Sequence, residues 1–103
     1  MLNMGVEITS DSENRNIQVK GELTSKTVMD ALSKFRGEVK NLSAWVIDFS
    51  AVSKVDSTAI ALLIELKRDA QKESKSISFI SLPSTLLAIA RLSQVEGLLG
   101  EKA

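Results

Sequence analysis

The chain contains no cysteine and no histidine among its 103 residues. Without cysteine there is no disulfide framework, no thiolate nucleophile and no zinc site built on sulfur. Without histidine the commonest general base and the commonest metal ligand are both missing. A hydrolase would have to run on carboxylates, lysine or serine alone, which argues against most enzyme classes. Aromatic residues are scarce, with one Trp, three Phe and no Tyr, so base stacking across an open sheet is not expected. Thirteen basic residues balance thirteen acidic ones, and no global field draws the chain to nucleic acid or anionic lipid. Long apolar runs are absent too: the longest, Ala59 to Ile64, is far too short to span a bilayer. Met1-Leu2-Asn3-Met4 leads into Gly5-Val6-Glu7 with no basic start and no long apolar core. No signal peptide is therefore expected, and a cytoplasmic location is.

What is present suits one soluble globular domain over residues 1–103. Hydrophobic residues make up 44% and charged residues 25%, and a chain of this length buries about 65% of its unfolded surface. Val6 and Ile8 alternate with polar residues as a first strand. After a polar turn from Asp11 to Asn16, Ile17 to Leu23 alternates again, predicting an antiparallel hairpin. Thr24 and Ser25 are cap candidates for a helix from about Ser25 to Glu38, with Val28, Leu32, Phe35 and Val39 on its buried face and Asn41 closing it. A strand at Trp45 to Phe49, a polar connection and a helix from about Ser57 to Glu73 follow. Lys72 to Ser76 is a charged connection. Ile77 to Leu82 alternates as the last strand, ended by Pro83. Ser84 is placed to cap a third helix with Leu86, Leu87, Ile89, Ala90 and Leu92 as apolar positions. Gly97 and Gly100 break up the tail, and Leu98-Leu99 are expected to pack a final short turn. Helical crossovers imply parallel pairing of the later strands. The expected fold is α/β: a small mixed sheet of about four strands, first hairpin antiparallel and the rest parallel, with helices on one face.

The stretch from Trp45 to Arg68 carries the strongest functional signal. Asp56 and Ser57 both suit an N-cap, because their oxygens accept from first-turn N–H groups. Turning about 100° per residue, Ala59, Leu62, Leu63, Leu66 and Ala70 form the sheet-facing side of the helix. A second row, Ser57, Ala61, Ile64 and Arg68, lies roughly opposite, with Ile60 and Gln71 beside it. Exposed Ile60 and Ile64 next to Ala61 would make a flat apolar contact surface ending at Ser57 and Thr58, suited to a protein partner. The alternative is that another helix of the same domain covers Ile60 and Ile64. Ser57 itself reads as a cap, as a small contact hydroxyl, or as a phosphorylation site whose added charge would break an apolar contact. A Ser-Lys dyad with Lys54 or Lys67 has no supporting local pattern. Asp48 and Asp56 form a carboxylate pair open to Mg²⁺, although Asp56 reads first as a cap; no cofactor or metal is expected.

The segments Gly21-Glu22-Leu23, Val46-Ile47-Asp48-Phe49-Ser50-Ala51-Val52, Val55-Asp56-Ser57-Thr58 and Ala61-Leu62-Leu63 resemble the STAS domain family. That family includes bacterial anti-sigma factor antagonists and the cytoplasmic tails of sulfate transporters. The short length and the stretch Leu86 to Leu92 are most similar to its MlaB-type members, small subunits of ABC complexes that move phospholipids between the membranes of Gram-negative bacteria. The resemblance implies a non-enzymatic protein that binds the transporter's ATPase subunit at the inner membrane face, with Ser57 important at the contact. In the sigma-factor antagonists it implies instead binding to an anti-sigma kinase, which phosphorylates the matching serine. Two positions depart from the family pattern: Thr24 stands where Gly-Glu-Leu-Asp has its aspartate, and Ala59 replaces a common glycine. The loss of the acid weighs against the kinase reading. A serine rather than the threonine usual in MlaB-type members weighs for it.

Overall fold

The structure, a computed structural model, describes residues 5–11, 16–40 and 42–92. Among them four strands and three helices alternate: β1 (Val6–Asp11), β2 (Asn16–Leu23), α1 (Val28–Glu38), β3 (Ala44–Val55), α2 (Thr58–Lys72), β4 (Ser76–Ile80) and α3 (Ser84–Leu92). The strands lie in the order β1-β2-β3-β4. β1 pairs antiparallel with β2, while β2–β3 and β3–β4 are parallel. This is the mixed sheet that the hairpin and the crossovers predict.

Alternation along the strands decides which face is covered. Val6, Ile8, Ile17, Val19, Trp45, Ile47, Phe49 and Phe79 are buried, whereas Glu7, Thr9, Gln18, Lys20, Ser50 and Ser78 between them are exposed. One face is therefore apolar and carries the helices, and the other faces water. α1 lies over β1 and β2, and α2 lies over β3 and β4 between α1 and α3. Phe35 of α1 and Val39 just after it, Leu63 and Leu66 of α2, and Leu86 and Ala90 of α3 close the core. Phe49 and Phe79 meet edge to face at 5.9 Å, the arrangement that ring quadrupoles favour.

Several boundaries differ from expectation for local reasons. β3 does not stop at Phe49 but stays extended to Val55, because β2 continues alongside it and pairs Gly21 with Val52 and Leu23 with Val55. Its pairing with β4 ends at Asp48 and Ile80, where the Asp48 carboxylate accepts the Ser50 N–H at 2.9 Å. Gly21, at φ 104°, sits so close to the preceding strand that a Cβ would lie 2.5 Å from the Gly5 carbonyl oxygen; no other residue fits there unstrained.

β4 ends at Ile80 because Ser81 turns left-handed at φ 57°, sending Leu82 back to the core. α1 starts at Val28 rather than Ser25, after a turn in which the Thr24 carbonyl accepts from Thr27 and Val28 N–H, each at 2.9 Å. Thr24 and Ser25 thus precede the helix instead of capping it. The Thr27 hydroxyl locks that turn, accepting the Thr24 N–H at 3.0 Å and donating to the Glu22 carbonyl at 2.7 Å. In α3 the Pro83 carbonyl accepts from Leu86 and Leu87, so Pro83 holds the cap position expected of Ser84. Leu92 is 87% exposed and not part of the core. Asn41, most of the Asp11–Asn16 turn and the Gly97–Gly100 tail lie outside the described residues.

Candidate functional site

The candidate site lies where β2 and β3 end and α1 and α2 begin, at the carboxyl edge of the parallel strands. Asp56 organises it. Its N–H donates to the Leu23 carbonyl at 3.2 Å, placing the residue at the end of β2. One carboxylate oxygen accepts the Ser25 N–H at 3.0 Å, and the other accepts the Thr58 N–H at 2.9 Å and the Thr58 hydroxyl. The hydrogen bond from the Thr58 hydroxyl is the largest influence holding the Asp56 carboxyl below its ordinary pKa. The Ser25 and Thr58 N–H groups and the positive Lys54 act in the same direction, against partial burial. Asp56 therefore caps α2 and ties it to the turn before α1.

That division of labour releases Ser57. Ser57 stands at the cap position with φ −63° and ψ −20°, makes no side-chain cap hydrogen bond and is exposed. Of the two cap candidates, Asp56 does the capping and Ser57 presents its hydroxyl to solvent. Thr58 is half-buried, with its hydroxyl committed to Asp56.

The expected apolar row is corrected in part. Ile60 is only 8% exposed and belongs to the core, and Ile64 is half-buried against it. Ile60 is turned about 200° around the helix from Thr58, which lines the side facing α1, and its side chain joins the core cluster. The outward row Ser57, Ala61, Ile64, Arg68 survives, but only its two ends and Ala61 are fully open to solvent. Arg68 pairs with Glu65 of its own helix at 3.3 Å.

A feature that periodicity did not reveal lies beside this row. α1 and α2 leave between them a groove of about 240 Å³, walled mainly by carbon from Val28, Met29, Leu32, Ala61 and Leu62, with Thr58 at one side and Glu65 as its single charged residue. Met29 is 75% exposed there. The sequence signal was available but weak, since Met29 falls outside the Val28, Leu32, Phe35 stripe.

The carboxylate pair does not assemble. Asp48 and Asp56 are separated along the extended β3, and eight steps at roughly 3.3 Å each place them more than about 20 Å apart. Among the described residues no three acidic side chains cluster to hold a metal ion, and no helix is long and apolar enough to cross a membrane.

A sequence-family profile described as "Mlab, STAS domain" matches residues 6–100. No curated protein matches at the level of sequence. Among solved structures, the chain is similar to that described as "Structure of the Anti-Sigma Factor Antagonist SpoIIAA in its Unphosphorylated Form". The two superpose with a TM-score of 0.67 over 89% of this chain and 83% of that one, at 14% identity. At that identity the likeness speaks for the fold alone.

Proposed function

The chain belongs to the MlaB-like STAS domain family, and from that premise we propose that it is a non-enzymatic subunit of an Mla-type ABC phospholipid transporter. It binds the transporter's ATPase subunit, supports assembly and activity of the complex, and so helps maintain outer-membrane lipid asymmetry. It is cytoplasmic and peripheral, held at the inner membrane face by that partner. The observation that carries this reading is the exposed Ser57 hydroxyl, left out of the helix cap and set beside an apolar groove. Ser57, Thr58, Ala61 and Arg68 form the contact, Met29 and Leu32 extend it, Ile64 contributes its open half, and Ile60 supports it from beneath.

The test is co-purification of the tagged chain from its native cells, with the retained chains identified by mass spectrometry. An ABC ATPase and its permease are expected. Ser57→Glu buries an unmatched charge at the contact and weakens retention by roughly 1–3 kcal/mol. Normal retention of the ATPase by Ser57→Glu would remove this docking face.

A second reading is favoured by one observation: the exposed residue at the cap is a serine, as a phosphorylation switch requires. The chain would then be an anti-sigma factor antagonist that binds an anti-sigma kinase and is released by phosphorylation of Ser57. Incubation with such a kinase and ATP should add one phosphate to the wild type and none to Ser57→Ala. No phosphate on the wild type would eliminate it.

A further inference from the structure

The charges on α2 are sorted by side, and only one side is neutralised within the chain. Glu65 and Asp69 lie toward α1, where Arg36 pairs with both: its Nε donates to Asp69 at 2.8 Å and its Nη2 lies 3.7 Å from Glu65. Lys67 is turned about 200° around the helix from each of them. Among the described residues its ammonium has no hydrogen-bond or ion-pair partner. With Ile64, Arg68 and Gln71 it lines a second recess, of about 260 Å³, on the outward face of α2. No carboxylate lines that recess. Arg68 does reach Glu65 at 3.3 Å, but both side chains are open to solvent. Such a pair contributes little and leaves Arg68 able to turn to another carboxylate.

Resting on the ATPase reading, we infer that this recess receives an acidic segment of the ATPase subunit, which seats an aliphatic side chain on Ile64 and sets carboxylates against Lys67 and Arg68. The recess continues the outward row from Ser57 through Ala61, so one partner covers both. It is chemically unlike the groove between α1 and α2, which is walled mainly by carbon and carries Glu65 as its single charged residue. The two hollows beside the row therefore select different side chains, and that difference fixes the partner's orientation. A second copy is a poor occupant, because the row of Ser57, Ala61, Ile64 and Arg68 has no carboxylate to offer its own cations. An anionic bilayer is a poor one too. Each lysine or arginine near such a surface contributes only about 1 kcal/mol, and two of them on a chain of balanced charge do not hold it there.

The test uses the tagged chain and the ATPase subunit that it retains, with association followed at low and high salt. Lys67→Glu should slow association about fivefold or more near 50 mM salt, and the difference should shrink toward about 500 mM. Lys20→Glu makes the same charge change at an exposed position of the open sheet face and should slow association by less than about twofold. Circular dichroism should be unchanged in both. A carbodiimide, which condenses a lysine amine with a touching carboxylate to an amide, then identifies the occupant. Lys67 should link to an Asp or Glu of the ATPase subunit. Linkage instead to Glu96 or Glu101, in the tail outside the described residues, or to another copy, would overturn the inference. So would binding of the free chain to vesicles of anionic lipid that Lys67→Glu abolishes, or equal association of Lys67→Glu and Lys20→Glu with a retained ATPase. If the unmodified chain retains no ATPase, the ATPase reading falls and this inference falls with it.

Discussion

Asp56 joins two elements through its two carboxylate oxygens, holding the Ser25 N–H with one and the start of α2 with the other. A carboxyl whose folded pKa lies below its unfolded value of about 3.9 binds fewer protons folded than unfolded. Its stabilisation is therefore complete above that unfolded value and is lost as pH falls through the folded one. Asp56→Ala should cost about 1–3 kcal/mol at neutral pH. Urea denaturation should show the gap between wild type and variant closing as pH falls below about 4. Ser57, one residue on, should behave in the opposite way. Because its hydroxyl caps nothing, Ser57→Ala should leave unfolding free energy within about 0.5 kcal/mol of wild type. A loss of ATPase retention by the same variant would then report on binding and not on folding. A Ser57→Ala cost as large as that of Asp56→Ala would mean that the hydroxyl caps the helix after all.

At the level of elements, two positions sit in conformations that their residues do not favour. Gly37 lies in the last turn of α1 on its exposed side, and a Cβ there would meet nothing within 4 Å. Gly37→Ala should stabilise by a few tenths of a kcal/mol, up to the roughly 0.5–1 kcal/mol that separates the two in a helix interior. Ser74 ends α2 at φ 55°, and the Lys75 N–H returns to the Ala70 carbonyl at 2.8 Å in a left-handed cap that glycine normally fills. Ser74→Gly should raise stability by a few tenths to about 1 kcal/mol in thermal or urea unfolding. The same scale shows where sequence reading stops. Alternation and the 3.6 period identify every element named above, but the end of β3 is decided by its neighbour: Ser50 to Val55 read as a connection, and β2 keeps them extended.

For the whole molecule, one helix-covered sheet face carries the core, so the central layer of α2 should be the least tolerant of change. Leu63 is fully buried there. Leu63→Ala should cost about 2–5 kcal/mol, a large share of the roughly 5–15 kcal/mol available to a domain of this size, and calorimetry should show a marked drop in melting temperature. The period-two and period-3.6 apolar patterns, the crossovers and the Asp56-Ser57 helix start are properties of consecutive residues. They determined the mixed four-stranded sheet and its helical layer. Burial of Ile60, the groove between α1 and α2 and the release of Ser57 from the cap depend on which distant segment comes near. Packing of the core cluster around α2 settles the first, the approach of Met29 and Leu32 to Ala61 settles the second, and the bridge from Asp56 to the Thr58 and Ser25 N–H groups settles the third. Helix periodicity says which side chains share a face, and only packing says whether that face meets water or another helix.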